Sequence, residues 1–333
     1  MNHNTPKTKE ITISLTGSRP SKLGGYDYYS PLNIAIANKL RDYLHSYLKA
    51  GMRVHAISGM ALGADTIFAL VVLKLKRQGY DIALEAAIPC LNHPNVWPQA
   101  SQEQWHKVVN QADKITYVSN LPYQPYLMQM RNRYMVDQCD ELIAVWDGTT
   151  GGTYNCVQYA KQKGVKIVQI NPKHLVIEHK GDLLLSDCNV LMHQANARST
   201  MGSGIAKSIR EKFPIVYEVD CASPLKPEQK LGTYTYATVD NQGKQIEIVN
   251  LYGQLNYGSD RKLYTSYEAL ESALFGYLTE RQNREGNLSH LKIGVPKYMG
   301  CARAGGDWNI VSGILEKATK QFNVSIHTYE LAV

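Results

Sequence analysis

Short apolar runs that stop at glycine and hand over to a helix-like stretch recur along the first half of this chain. No other feature constrains its fold as tightly. Ile11 to Thr16 stops at Gly17, Val54 to Ser58 at Gly59, and Leu142 to Trp146 at Asp147-Gly148. Ser30-Pro31 opens a helix with apolar residues at Ile36, Leu40, Leu44 and Leu48, and Gly51 stops it. Proline is at ease in a first helical turn and glycine just past the last, so both ends are marked. Further strands are expected at Ile82 to Ile88, Ile115 to Ser119 and Val165 to Ile170. The helices between them reach Arg77 and then run near Gln102 to Gln111, Tyr126 to Gln138 and Thr153 to Lys163. Strands alternating with helices predict an α/β fold with a parallel sheet covered on both faces.

The pattern resets around Asn171-Pro172-Lys173. With 333 residues, and about 150 per domain as the usual scale, two domains are expected, at residues 1–173 and 174–333. Strands of the second are expected near Leu175 to Glu178, Val190 to Gln194, Tyr234 to Val239, Ile246 to Leu251, Leu291 to Val295 and Val324 to Tyr329. Its helices fit Gly202 to Lys212, Ser266 to Arg281 and Asp307 to Lys320.

Composition narrows the function. At 44% hydrophobic and 20% charged, the chain has enough apolar material for real cores, and no stretch reaches the roughly 18 uncharged apolar residues of a membrane span. Met1 to Glu10 is polar and leads into a strand, so the cytoplasm is the expected compartment. The six cysteines are scattered without a C-x-x-C pair, which argues for reduced thiols and no metal site, and no cofactor is implied. The net charge of +7 favours anionic partners, but no basic tract accompanies the aromatics. A phosphate-bearing small molecule fits better than a nucleic acid or a membrane.

Three loops of the first half fall at the carboxyl ends of strands, where parallel sheets hold their ligands. Gly17, Ser18 and Arg19 form one; Gly59, Met60, Gly63 and Asp65 belong to the second; Asp147, Gly148, Gly151, Gly152 and Thr153 to the third. Glycines let the backbone approach a phosphate, and a helix start offers free N–H groups. Tyr26, Tyr28 and Tyr29 either stack on a base or pack locally; Trp97 and Trp105 read as packing residues. The motifs T-G-S-R-P, S-G-M-A-L-G-A-D and R-N-R-Y-M-V-D leading to A-V-W-D-G-T-T-G-G-T resemble the SLOG superfamily, which includes cytokinin-activating phosphoribohydrolases. The resemblance spans most of residues 10–171 and implies a Rossmann-like domain that binds an NAD-derived nucleotide and self-associates. Arg131 matches the arginine of the hydrolytic members' catalytic pair, whereas Cys156 stands where their glutamate would be. Binding is therefore expected here rather than catalysis.

In the second half, a strand ending at His193 to Asn196 feeds the turn Met201-Gly202-Ser203-Gly204-Ile205, and Gly300-Cys301-Ala302-Arg303-Ala304-Gly305-Gly306 forms a second turn before a helix. Two such turns suit a diphosphate. The G-D-L opening at Gly181, M-G-S-G-I-A, F-P and the late G-C-x-x-x-G-x-D-W resemble a macro domain of the terminal ADP-ribose glycohydrolase and DarG-like branch. That resemblance implies a mixed sheet sandwiched by helices and a cleft for ADP-ribose. Asp182 would then hold the adenine amino group, Asn196 the distal ribose, and the two turns the diphosphate. The branch's catalytic lysine has no match at the strand end; Lys262 is only nearby. Phosphatase-like members imply instead His193 as acid or base, with Asp260 or Asp307 orienting water. His193 also reads as a hydrogen-bonded structural histidine, and Asp307 as a helix cap.

The leading expectation is a hydrolase that removes a 1''-phosphate or another 1''-linked group from ADP-ribose. The alternative is a non-catalytic sensor or sponge for an ADP-ribose-type signal, for instance in phage–bacterium conflict.

Overall fold

The computed structural model describes residues 9–258, 260 and 262–331. The chain divides into two compact units, Met1–Pro172 and Lys173–Val333. In chain order the first runs β1 (Glu10–Gly17), α1 (Pro31–Lys49), β2 (Arg53–Ser58), α2 (Ala64–Arg77), β3 (Ile82–Ile88) and α3 (Gln99–Val109). It continues through β4 (Lys114–Tyr117), α4 (Pro125–Asp137), β5 (Glu141–Val145), α5 (Gly152–Lys163) and β6 (Lys166–Ile170).

The six strands form one parallel sheet in the order β4-β3-β2-β1-β5-β6. The chain walks outward from β1 to β4, then crosses to the other side of β1. Strand order therefore reverses between β1 and β5, and a crevice opens beyond their carboxyl ends. Central strands are buried on both faces, as covered parallel strands must be: Ile13, Leu15, Ile143 and Val145 are fully buried on one face, and Ser14, Leu142 and Ala144 on the other. Helix α1 forms as its apolar spacing dictates. Ile36, Leu40, Leu44 and Leu48 make its buried stripe, and Gly51, at φ +74°, lies just past its end.

The second unit runs β7 (Val176–Lys180), β8 (Val190–Asn196), α6 (Gly204–Lys212), α7 (Pro214–Cys221), α8 (Pro227–Lys230) and β9 (Tyr234–Asn241). It ends with β10 (Lys244–Gln254), α9 (Tyr267–Glu285), β11 (Lys292–Pro296), α10 (Trp308–Phe322) and β12 (Ser325–Glu330). Its sheet has the order β7-β12-β11-β8-β10-β9 and is mixed, since only β9 runs antiparallel to its neighbour. Side chains alternate between two cores. Val190 and Met192 of β8, with Val249 and Leu251 of β10, face the α9 and α10 side; Leu191, Ile246 and Ile248 face the α6 and α7 side. The ladder between β8 and β11 is short: only Val190–Ile293 and Leu191–Gly294 pair before the strands part.

Two helices of this unit lie outside the sequence expectation. Phe213-Pro214 reads as the end of one helix, yet Pro214 begins α7, and Pro227 likewise begins α8. A proline at the first helical position loses no hydrogen bond, so it starts a helix as readily as it follows one.

Candidate functional site

A cleft of about 260 Å³ lies in the crevice between β1 and β5. The loops after β1 and β5 form two walls, with Arg19 and Lys22 from the first and Thr149, Thr150, Gly151 and Gly152 from the second. Close packing explains two glycines. A Cβ on Gly17 would sit 2.4 Å from that of Ala64, and one on Gly63, at φ +96°, would sit 2.4 Å from the Ser18 carbonyl oxygen. Thr153 Oγ1 donates to the Gly17 carbonyl at 3.0 Å, and Lys22 Nζ to Thr149 Oγ1 at 2.5 Å, so the walls brace each other. Asp147 Oδ1 accepts from Thr149 N at 3.2 Å and from its hydroxyl at 2.7 Å, shaping that turn. Among the described residues, the amides of Gly151 to Tyr154 at the start of α5 meet no acceptor, which leaves them for an anion.

Beneath this cleft lies the buried pair Asp65 and Arg131, 3.5 Å apart. Arg131 also donates to the Gly59 carbonyl and, at 3.0 Å, to Asn132 Oδ1. A Cβ on Gly59 would collide with the guanidinium, so that glycine makes room for Arg131 rather than for a ligand. Burial raises the Asp65 carboxyl, against the pull of Arg131 and Arg19. Cys156 is buried nearby, and burial pushes its thiol up to about 12, so it offers no thiolate. Three cations and a single acid line the cleft, a balance suited to a phosphate.

The second cleft, about 730 Å³, opens where β8 and β11 part. Its size falls within the roughly 300–1,000 Å³ usual for small-molecule sites. The turn from Thr200 to Ala206 forms one wall and Pro296 to Ala304 the other, with Tyr257 and Gly258 at the side. No side chain caps α6, and among the described residues the amides of Gly202 to Ala206 meet no acceptor. The turn is conformationally demanding: Ser199 and Met201 have φ of +55° and +34°. Such residues cost about 1–3 kcal/mol each unless their surroundings hold them. Met201 is held by burial among Leu184, Ile209 and Phe213. On the opposite wall, Gly300, at φ +73°, leaves space for the Gln194 side chain, whose Nε2 donates to Gln254 Oε1 and Thr265 Oγ1 at 2.8 and 2.9 Å. Thr265 Oγ1 passes the chain on to the Gly300 carbonyl at 2.7 Å.

The expected site residues divide. Gly17, Ser18, Arg19, Asp65, Arg131, Gly151, Gly152 and Thr153 meet in the first cleft; Met60, Gly63, Asp147 and Gly148 are not in its lining, although Gly63 packs on Ser18 and Asp147 holds Thr149. Asn196, Met201 to Ile205, Gly300, Ala302 and Arg303 meet in the second.

Of the residues expected at the chemistry, His193, Asp260 and Asp307 are not in the cleft lining, whereas Asn196 is. His193 is fully buried, with Nε2 2.7 Å from Asn250 Oδ1 and Nδ1 3.2 Å from the Gln194 carbonyl, and burial lowers its pKa. It lies on the sheet face covered by α7, beside Asn250, and not in the cleft. Asp307 caps α10 by accepting from Asn309 N at 2.8 Å. Asp260 pairs with Lys262 at 3.0 Å and Tyr264 at 2.8 Å away from the wall. Asn196 lines the cleft, yet its Oδ1 accepts from Arg198 N and Thr200 N at 3.2 and 3.4 Å, so it shapes its own turn. Asp182 Oδ1 caps the short turn Leu183–Leu185 at 2.8 Å, and Cys301, Gly305 and Gly306 sit behind the second wall. Lys22, Gln194 and Tyr298 are cleft residues outside the quoted motifs, although all flank the expected loops, and Trp146, which lies within one of them, was not singled out.

The model of the YspA SLOG family matches residues 13–175. The uncharacterized SPbeta prophage-derived protein YoqJ of Bacillus subtilis (strain 168) is 32% identical over 145 residues, covering 40% of this chain and 84% of that protein. Among solved structures, Thermosipho africanus DarTG in complex with ADP-ribose is similar at 19% identity with a TM-score of 0.39, covering 56% of this chain and 52% of that one. The macrodomain of Thermus aquaticus DarG is similar at 19% identity with a TM-score of 0.38, covering 46% and 96%.

Proposed function

We propose that this chain, which belongs to the YspA SLOG family through residues 13–175, is a nucleotide-binding protein with two anion-receiving clefts, the larger of which holds ADP-ribose or a close derivative without turning it over. One observation carries this reading. The consecutive free amides of Gly202 to Ala206 face a cleft of about 730 Å³ whose opposite wall bears the Arg303 cation. Amides at a helix start select a phosphate or diphosphate, and a volume of about 730 Å³ leaves room for the attached sugars. The macro-domain-like sequence of this unit, on its mixed six-stranded sheet, supports the same ligand.

The absence of turnover rests on the lining. Hydrolysis of a 1''-linked group needs a positioned acid or base. Among the described residues, no aspartate, glutamate or histidine lines this cleft, and its one lysine, Lys297, is held by Glu178 and Glu330 at 3.2 and 3.0 Å. The first cleft, with Arg19, Lys22 and Arg131 around about 260 Å³, is proposed to take one phosphate of a related nucleotide. Calorimetry of the full chain with ADP-ribose tests the binding. Chromatography of the ligand recovered after denaturation, and phosphate release from ADP-ribose-1''-phosphate, test the lack of turnover. Tight binding with intact recovery fits the proposal; steady phosphate release removes it in favour of a hydrolase.

A further inference from the structure

Beneath the first wall of the second cleft lies a buried polar cluster that no ligand reading uses. Lys230, at the end of α8, is 3% exposed, and Asp220, in α7, is wholly buried. Lys230 Nζ donates to Asp220 Oδ1 at 2.5 Å, to the Asp220 carbonyl at 2.6 Å and to Ser199 Oγ at 2.6 Å. Ser199 Oγ in turn donates to Asp220 Oδ1 at 2.8 Å. Tyr252, on β10, donates to the same carboxylate oxygen at 2.8 Å, and the ammonium rides 4.5 Å from its ring centroid. All three donors of the lysine are thus spent inside the protein, and one of them reaches the turn that precedes the free amides.

Resting on the nucleotide reading above, we infer that Lys230 and Asp220 are positioning residues of the second cleft, acting as a clasp that fixes Ser199 in its left-handed conformation and so aims the amides of Gly202 to Ala206. A serine at φ +55° does not stay there unaided. The backbone bond from Ser199 N to the Asn196 carbonyl, 3.2 Å, stays within the turn, since Asn196 itself belongs to it. Among the described residues, the hydrogen bonds that tie Ser199 to rigid elements outside the turn are those of its side chain, and their partners are charges that have no water to choose instead. Such a charge-assisted bond in a buried setting is stronger than one on the surface. Releasing it frees the turn while β8, α6 and α7 remain packed through Leu191, Ile209 and Val216.

The test uses the full chain with Ser199→Ala, Ser199→Gly and Lys230→Met, read by hydrogen–deuterium exchange at residues 198–204, by ADP-ribose affinity and by thermal melting. Ser199→Gly accepts the left-handed turn but lacks the hydroxyl, so it separates tether from strain. The clasp predicts faster exchange at 198–204 in both serine variants. Affinity should fall about tenfold, as for one lost charge-assisted bond, while melting moves by no more than about 4 °C. Lys230→Met leaves the bond from Ser199 Oγ to Asp220 Oδ1 in place, so it should lower affinity less than the serine variants do, and adding Ser199→Ala to it should bring affinity down to theirs; if Lys230→Met does not fold, the serine variants decide. Wild-type exchange and affinity in Ser199→Ala overturn the clasp. If the wild type binds no ADP-ribose, the nucleotide reading fails, and exchange alone upholds or overturns the clasp.

Discussion

The guanidinium of Arg131 and the carboxylate of Asp65 stand 3.5 Å apart, and both side chains are almost sealed from water. Each is the main counterweight to the other's burial: desolvation raises Asp65 and lowers Arg131, and their mutual attraction opposes both shifts. Breaking such a pair from one side costs about 3–5 kcal/mol, because a charge is left buried and alone. Arg131→Met should therefore destabilise the chain by about that much at pH 7.5. An acid whose folded pKa is raised takes up a proton on folding, so stability returns as pH falls toward that pKa. Urea unfolding should show a smaller loss at pH 5 than at pH 7.5; equal losses would count against the pairing.

Gly202 offers a cleaner probe of the second cleft. A Cβ there would meet nothing nearer than the Thr200 carbonyl oxygen at 3.7 Å, and the residue does not adopt a positive φ. Gly202→Ala should leave stability within about 0.5 kcal/mol, as surface substitutions do. The methyl group projects where a phosphate would lie, so ADP-ribose affinity should drop at least about tenfold. Unchanged calorimetric affinity would place the ligand elsewhere.

Gly63 should behave in the opposite way. Its φ of +96° and the Ser18 carbonyl 2.4 Å from any added Cβ leave no relaxed state for alanine. Gly63→Ala is expected to cost more than about 1 kcal/mol of folding stability, and thermal melting reads it directly. A melting point equal to wild type would mean that the loops after β1 and β2 do not touch in solution.

Acid should unfold the protein through its histidines. Burial comes first among the causes that hold His93 and His327 near 3, and it lowers His193 as well. The cations Arg131 and Arg19 assist at His93, and Lys292 at His327. These groups stay neutral when folded but protonate near 6.5 when unfolded, so their contribution is complete above that pH and shrinks as pH falls. Each adds a slope of up to about 1.4 kcal/mol per pH unit below about 6.5. Unfolding midpoints measured from pH 7.5 to 5.0 should decline, and His327→Gln should flatten the decline.

The architecture was legible because its signals are local. Apolar spacing marks α1, and glycines close β1 and β5; those features alone imply the crevice that holds Arg19 and Thr153. The position of His193 was not legible for a different reason. His193 sits at a strand end, but strand residues alternate sides, and its side chain falls on the face that meets Asn250. One residue's difference in parity separates a cleft histidine from a core one. The pairing of Lys230 with Asp220 was out of reach, since α7 and α8 hide behind prolines that read as stops.

The two-rung ladder between β8 and β11 has a consequence for the life of the bound molecule. A sheet so thinly stitched at its centre is easiest to tear along that line, and the larger cavity begins where the stitching ends. Any compound that touches both Gly202 and Arg303 sews the two halves together from above, and the gain in resistance to heat should grow with its concentration. On the binding proposed above, the shortest ladder of this sheet and the ligand thus protect one another.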